Sequence, residues 1–258
     1  MKDNFSTQSE AYAKFRPVYP PALYEAIYQW VNGFERAWDC ATGNGQVARA
    51  LAKRFKDVQA TDISRQQLEK AEPADNIVYS VQPAETADFP AGHFDLITVG
   101  QAIHWFDHQR WYEKVVYCLR PDGILAEFGY PLFRMDETIN PIIDRFYHDI
   151  VGPYWDTERR HLDDAFARIP FPLERLATPQ LNMDYQWTFE QTLGYFSSWS
   201  SVQHYKRKHG SDPVELIRAE LERAWLGSEQ KRKKDLADMN TKKTASFHIL
   251  LRIGRLNS

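Results

Sequence analysis

This chain of 258 residues has few cysteines, no long apolar run and no large excess of positive or negative charge. Its two cysteines, Cys40 and Cys118, lie far apart, with no C-x-x-C spacing and no histidine cluster near them. This argues against a disulfide framework and against a structural metal site, so we predict no metal. The first residues lack the apolar stretch of a signal peptide, and no uncharged run approaches the roughly 20 residues that a membrane helix needs. The sequence therefore predicts a cytoplasmic protein without a membrane partner.

The charge balance is nearly even, with a formal net charge of -3 at pH 7. A chain that binds nucleic acid usually carries a basic stripe, because phosphates dominate such binding. Two basic runs, 206–209 and 231–234, have acidic residues near them and are typical of solvated faces. We therefore expect no nucleic-acid partner. The sequence leaves a monomer and a homodimer equally open.

Aromatic residues make up 14% of the chain but are unevenly spread. Only four lie between Cys40 and Ala102, whereas thirteen lie between Pro131 and Ser200. This distribution predicts two regions with different roles.

Strand and helix patterns alternate through the first half of the chain. An amphipathic stripe at 23–34 predicts a helix, for which Pro20-Pro21 is a suitable start. Helical stripes then alternate with runs that are typical of buried strands. These strand runs lie at 37–40, 58–61, 77–81, 95–101 and 124–128. This spacing indicates a parallel sheet covered on both faces.

The alternation stops after Tyr130. The stretches 139–151 and 189–199 favour helices, and 175–184 is the one place there where a strand is expected to return to the sheet. The run 245–253 predicts a terminal strand. We therefore divide the chain into an N-terminal lid and helix (1–36), a ligand-binding core (37–130), a helical cap (131–243) and the terminal strand (244–258).

A glycine-containing turn at 41–45 lies between the first strand and the next helix. Small residues there let the backbone approach a ligand, and the helix start offers unpaired N–H groups. The run Gly43-Asn44-Gly45-Gln46-Val47-Ala48 satisfies the G-x-G-x-x-A dinucleotide pattern, and Asp62 ends the next strand, where it suits a ribose diol. Taken alone, these residues leave a nicotinamide-dependent oxidoreductase and a plain strand-to-helix turn open.

The ordered motifs resemble those of the class I S-adenosylmethionine-dependent methyltransferases. The acid and glycines of the family's first motif are matched by Asp39, Gly43 and Gly45, with Ala41 where the family has its first glycine. Pro83-Ala84-Glu85 is similar to the adenine-edge segment, although Pro83 replaces the usual acid, and 119–123 is similar to the turn before strand five.

This resemblance implies a Rossmann-like α/β fold with a doubly wound, mostly parallel sheet, an antiparallel terminal strand and a helical cap. It implies S-adenosylmethionine as the cofactor and S-adenosylhomocysteine as its product. The guanidinium of Arg16 suits the carboxylate of the cofactor, Asp62 its ribose and Ile63 its adenine. The cofactor-binding residues expected in full are Arg16, Asp39, Ala41, Thr42, Gly43, Gly45, Asp62, Ile63, Ala84, Glu85, Gln101 and Ala102.

Two further segments resemble a small-molecule group within the family, which includes enzymes similar to trans-aconitate methyltransferase. The segment 12–20 looks like the Y-x-x-x-R-P-x-Y-P lead-in of that group, and 101–106 looks like its Q-A-x-H-W-F segment. The segment 196–201 more loosely resembles the cap helix of these enzymes. The resemblance implies a small-molecule methyl acceptor, with a carboxylate as one class, and substrate contacts from His104, Trp105 and Trp199.

Methyl transfer from a sulfonium is an in-line displacement, in which the protein mainly fixes donor and acceptor and excludes water. A carboxylate acceptor is already a nucleophile, whereas an amine or a phenol would benefit from a base. His104 is the candidate for that base. A nicotinamide-dependent oxidoreductase, and a non-catalytic module that keeps the cofactor fold as a scaffold, are the alternatives.

Overall fold

The computed structural model describes residues 17–227 and 241–256, and its strands form one mixed sheet. The strands lie in the order β3-β2-β1-β4-β5-β8-β6, and β7 pairs with β8 outside this path. In chain order they are β1 (Arg36–Cys40), β2 (Asp57–Asp62), β3 (Ile77–Val81), β4 (Phe94–Gly100), β5 (Leu119–Gly129), β6 (Glu174–Leu176), β7 (Leu181–Trp187) and β8 (Lys243–Arg255).

Strands β1 to β5 pair in parallel, whereas β8 runs antiparallel to β5, β6 and β7. The predicted fold class, a mostly parallel α/β sheet with an antiparallel terminal strand, is confirmed. Among the described residues, no helix has the length and apolar character that crossing a membrane requires. The α-helices there are α1 (Pro21–Tyr28), α2 (Gln46–Leu51), α3 (Arg65–Leu68), α4 (His108–Cys118), α5 (Asn140–Arg145), α6 (Arg160–Asp163), α7 (Phe189–Ser197), α8 (Ser200–His209) and α9 (Glu215–Leu226).

Local capping explains where several helices begin. The Ser64 side chain accepts a hydrogen bond from the backbone N–H of Gln67 at the start of α3. Asp107 likewise accepts from the N–H of Arg110 at the start of α4. A reciprocal capping box between Thr188 and Gln191 begins α7.

Three predicted elements differ in extent from the structure. The stripe at 23–34 forms a helix only to Tyr28, followed by a turn at 29–30 and irregular backbone at 31–34. The predicted turn at 119–123 is already part of β5, in which Asp122 takes a left-handed φ of 60°. The single strand expected at 175–184 is two strands, β6 and β7, because Pro179 between them has no N–H to donate to a ladder.

Each face of the sheet packs against its own apolar core, because neighbouring side chains along a strand alternate between faces. Ala37 and Leu96 pair in register and join one core, while Trp38 and Ile97 pair next to them and join the other. The aromatic-dense region supplies much of the first core. For example, the ring of Phe133 lies 5.3 Å from that of Phe247, measured between centroids.

One charged pair is buried between the sheet and the residues that follow α6. Glu127 on β5 lies opposite Arg252 on β8, and the guanidinium of Arg252 donates to the carboxylate of Glu127. The side chains of Trp111 and Tyr112 also donate to Glu127, each at 3.2 Å. Arg252 donates in addition to the backbone carbonyl of Ile169 at 3.0 Å. The pair therefore fastens the segment after α6 to the sheet.

Candidate functional site

Two neighbouring cavities lie beyond the carboxyl ends of β1, β4 and β5, where ligands of open α/β sheets bind. The first, which we call the loop cavity, has a volume of about 170 Å³ and is lined by 17–19, by 41–44 and by residues of α2. The second, which we call the cap cavity, has a volume of about 80 Å³ and is lined mainly by residues of 101–105, 155–162 and 195–200. Gln101 and Tyr130 line both cavities, so they form the boundary between them.

The turn beside the loop cavity depends on three residues in the left-handed region, Ala41 at φ 55°, Gly43 at 58° and Gly45 at 81°. Alanine adopts this region at a cost of about 1–2 kcal/mol, which explains the preference for glycine at such positions. A Cβ atom at Gly45 would collide with the hydroxyl of Tyr79, whereas one at Gly43 would meet nothing within 4 Å. Gly43 therefore leaves open space into which a ligand can approach the backbone.

Asp39 is the last residue but one of β1 and is almost fully buried at the floor of the loop cavity. Its carboxylate accepts hydrogen bonds from the hydroxyls of Thr42 and Thr98. Burial raises the pKa of Asp39 to about 7, although these hydrogen bonds oppose the shift. The carboxyl group is therefore poised between its two protonation states near neutral pH.

Asp39 should make folding stability fall as pH rises between about 4 and 7. Because its folded-state pKa of about 7 lies above the ordinary value, the folded protein binds the proton more tightly than the unfolded chain does. Asp39→Asn should remove this contribution, which reaches at most about 1.4 kcal/mol per pH unit. Urea unfolding of both proteins at several pH values measures the difference, and parallel stability curves would contradict the prediction.

Asp62 ends β2 and holds the turn from the neighbouring strand. Its carboxylate accepts from the backbone N–H of Gly43 at 2.8 Å and from that of Ser64 at 2.8 Å. Asp62 is therefore one residue removed from the loop cavity, through its bond to Gly43.

The other expected cofactor residues divide into two sets. Asp39, Ala41, Thr42, Gly43 and Gln101 line the loop cavity. The second set does not line the loop cavity and consists of Gly45, Asp62, Ile63, Ala84, Glu85 and Ala102.

Within the second set, Ala84 and Ala102 are buried in an apolar core instead. The carboxylate of Glu85 accepts from the N–H of Asp107 at 3.0 Å, at the start of α4. Arg16 lies outside the described residues.

Gln101 shapes the boundary between the cavities. It follows β4 with a left-handed φ of 59°, and its N–H donates to the carbonyl of Phe128 at 2.8 Å. Its side-chain amide donates to the carbonyl of Tyr130 at 3.1 Å and accepts from the N–H of Tyr130 at 3.0 Å. This paired contact fixes Tyr130, which the sequence analysis missed. Tyr130 directly follows β5, and residues at the carboxyl ends of parallel strands are where ligands of open α/β sheets bind.

The cap cavity brings together the three expected substrate residues, His104, Trp105 and Trp199. The imidazole of His104 is buried and its ring centroid lies 5.0 Å from that of Trp105. Trp155 and Tyr195 add further aromatic wall. Both come from the aromatic-dense stretch, so the composition had indicated the region but not the residues.

Arg159, which no sequence motif had indicated, places a guanidinium in the wall of the cap cavity. Its Nε donates to the hydroxyl of Tyr147 at 2.9 Å, and its guanidinium carbon lies 4.9 Å from the centroid of Trp155. The nearest carboxylate oxygen, on Asp163, is 3.9 Å from Nε. Burial lowers the pKa of Arg159, but Tyr147, Asp163 and Tyr195 together raise it by more, so the group stays charged. Among the described residues, neither terminal nitrogen of Arg159 has a hydrogen-bond acceptor.

Comparison with known proteins identifies relatives along most of the chain. Residues 38–126 match the family model described as "Methyltransferase domain". A "putative methyltransferase" of Dictyostelium discoideum is 32% identical over 227 residues, which are 86% of each chain. A "probable S-adenosylmethionine-dependent methyltransferase" of Saccharomyces cerevisiae is 25% identical over 81% of this chain and 84% of its own. The solved structure of a "putative type II methyltransferase" from Anaeromyxobacter dehalogenans is 31% identical and superposes with a TM-score of 0.83, covering 95% of this chain and 100% of that one.

Proposed function

Because the chain belongs to the class I S-adenosylmethionine-dependent methyltransferases, we propose that it methylates a carboxylate oxygen of a small molecule held in the cap cavity. The cofactor, S-adenosylmethionine, supplies a methyl group bound to a positively charged sulfur. The enzyme is thus a transferase, and family membership decides against the nicotinamide and scaffold alternatives.

The loop cavity suits the cofactor for reasons visible in its own residues. The open space beside Gly43 admits a ligand to the backbone. Asp62 accepts a hydrogen bond from Gly43 at the end of β2, the position from which an acidic residue binds the ribose in dinucleotide-binding folds. We propose that Asp39, Thr42, Gly43 and Asp62 hold the cofactor.

The boundary residues support direct transfer between the two cavities. Gln101 and Tyr130 line both, so a donor in the loop cavity and an acceptor in the cap cavity would meet beside them. In-line displacement needs the two reactants in contact, with little else required of the protein. The aromatic walls of the cap cavity would exclude water from that contact.

The position of Arg159 is the main support for a carboxylate as the methyl acceptor. A guanidinium in an aromatic wall, with its terminal nitrogens unbonded to the described residues, is suited to bind a carboxylate through two parallel hydrogen bonds. A carboxylate oxygen already has the lone pair that attacks the methyl group, so no base is needed. We propose that His104 contacts the acceptor without removing a proton.

Arg159→Met should lower kcat/KM for carboxylate acceptors by about 30-fold, because charge-assisted hydrogen bonds contribute about 1.5–3 kcal/mol. A panel of small carboxylates and amines, assayed by S-adenosylhomocysteine release, provides the measurement. The matched control is Arg160→Met, which removes an exposed guanidinium from the next position. Binding of S-adenosylhomocysteine should be unchanged in both variants.

Asp156 lines the same cavity and distinguishes the acceptor classes. Asp156→Asn should leave carboxylate turnover unchanged or raise it, because it removes a negative charge near the anion. An amine acceptor would instead lose affinity in this variant. Turnover of amines alone, with Arg159→Met fully active, would overturn the carboxylate proposal.

We also propose that 131–243 is the substrate cap, since Trp155, Arg159 and Trp199 all come from it. The cytoplasmic location and the trans-aconitate-like subgroup stay predictions of the sequence.

A further inference from the structure

The segment 17–19 forms one wall of the loop cavity without belonging to any strand. The backbone groups of this segment form hydrogen bonds with side chains instead of with the backbone of a neighbouring strand. The amide of Gln46 donates to the carbonyl of Pro17 at 3.3 Å and accepts from the N–H of Tyr19 at 3.2 Å. The hydroxyl of Tyr185 accepts from the N–H of Val18 at 2.6 Å and donates to the carbonyl of Val18 at 2.6 Å.

These contacts follow the geometry of an extended chain, in which successive residues present their backbone groups to opposite sides. Gln46 holds the first and third residues of the segment, and Tyr185 holds the second. Hydrogen bonds therefore hold the segment 17–19 on both of its sides.

The two residues that hold the segment, Gln46 and Tyr185, come from different parts of the fold. Gln46 begins α2, directly after the glycine turn, so it ties the wall to the other side of the same cavity. Tyr185 lies on β7, 167 positions from Val18 in the sequence. Strand β7 leads into α7, whose Tyr195 lines the cap cavity. The Tyr185 hydroxyl thus joins the wall of the loop cavity to the cap.

We propose that Tyr185 is a positioning residue for the cofactor, which it never touches: its hydroxyl holds the wall 17–19 in the place that closes the loop cavity. The proposal rests on the proposed function only for the identity of the ligand in that cavity. Without the hydroxyl, cofactor binding must first order the wall, and this cost weakens binding.

Tyr185→Phe should raise the dissociation constant for S-adenosylhomocysteine about 5- to 10-fold, because it removes both hydrogen bonds to Val18 while Gln46 still restrains the wall. Calorimetric titration of the full chain measures this. Tyr117→Phe, which removes a hydroxyl from a half-exposed tyrosine on α4, should bind as the wild type does.

Amide exchange supplies a second readout that a merely structural role would not move. The N–H of Val18 should exchange faster in Tyr185→Phe, and S-adenosylhomocysteine should restore protection at saturation. Gln46→Leu should weaken binding too, and the double variant should deviate from additivity because both residues hold one segment.

The outcomes separate this proposal from the proposed function. Wild-type affinity in Tyr185→Phe, or a lowered melting temperature with unchanged affinity and unchanged Val18 exchange, overturns the positioning role. Failure of the wild type to bind S-adenosylhomocysteine overturns the cofactor assignment itself. Tight binding without carboxylate turnover overturns only the acceptor class.

Discussion

Asp62→Ala should weaken binding of S-adenosylhomocysteine by about 100-fold or more. The carboxylate of Asp62 accepts from Gly43 and Ser64 at 2.8 Å each, so the substitution leaves the backbone of the glycine turn without its acceptor. It also removes the group proposed to bind the ribose. Charge-assisted hydrogen bonds contribute about 1.5–3 kcal/mol each, and a loss of about 2.7 kcal/mol corresponds to about 100-fold in affinity.

Asp57→Ala is the matched control, since Asp57 begins the same strand at its other end, where its carboxylate accepts from the Gln59 side chain at 2.9 Å. It should bind S-adenosylhomocysteine with wild-type affinity. Asp62→Asn should fall between the two, because its amide keeps one acceptor oxygen and loses the charge. If Asp62→Ala bound within threefold of the wild type, Asp62 would have no part in the cofactor site.

The sequence predicted the parallel half of the fold because local patterns control it. Strand β4 and the second half of β5 are apolar runs buried on both faces, and capping by Ser64 and Asp107 marks helix starts within a few residues. The positions of β6 and β7 depend instead on pairing with β8, whose partner residues lie 56 to 81 positions later in the chain. No local pattern encodes that pairing, so one strand was expected where two exist.

The candidate site shows the same division between local and distant control. The glycine turn was predicted because its chemistry lies in seven consecutive residues, 39–45, in which Gly43 and Gly45 adopt left-handed φ angles without steric cost. Arg159 could not be predicted, because its place depends on Tyr147 and Trp155, which reach it only after packing. The high density of aromatic residues indicated the region of the cap cavity but not the residues that line it. Many of the rings, such as Phe133 and Phe196, are fully buried in the core instead.

Arg252→Met should destabilise the protein by about 3–5 kcal/mol, because it leaves the Glu127 carboxylate buried without its cation. Glu127 is completely buried, and Trp111 and Tyr112 supply only neutral donors. For a chain of this size, such a loss corresponds to a melting temperature roughly 10 °C lower. By contrast, Arg134→Met, which breaks the exposed pair with Asp144, should cost less than about 1 kcal/mol.

The pH dependence of the Arg252→Met variant identifies the buried charge as the cause. Burial raises the pKa of Glu127, and Arg252 opposes that shift in the wild type. Without Arg252 the pKa rises further, so the folded variant takes up a proton at low pH and loses stability as pH rises above the unfolded-state value of about 4.3. The variant should therefore be closer to wild-type stability at pH 5 than at pH 8.

Glu127→Gln in the Arg252→Met background should recover part of the loss and remove its pH dependence, since no charge is then left to bury. Urea unfolding of the four proteins at both pH values completes the double-mutant cycle. A loss that is the same at pH 5 and pH 8, or that Glu127→Gln fails to relieve, would show that Arg252 acts instead through its bonds to the carbonyls of Phe166 and Ile169. In that case the segment after α6, and with it Leu162 in the wall of the cap cavity, would depend on Arg252 for position rather than on the charge pair.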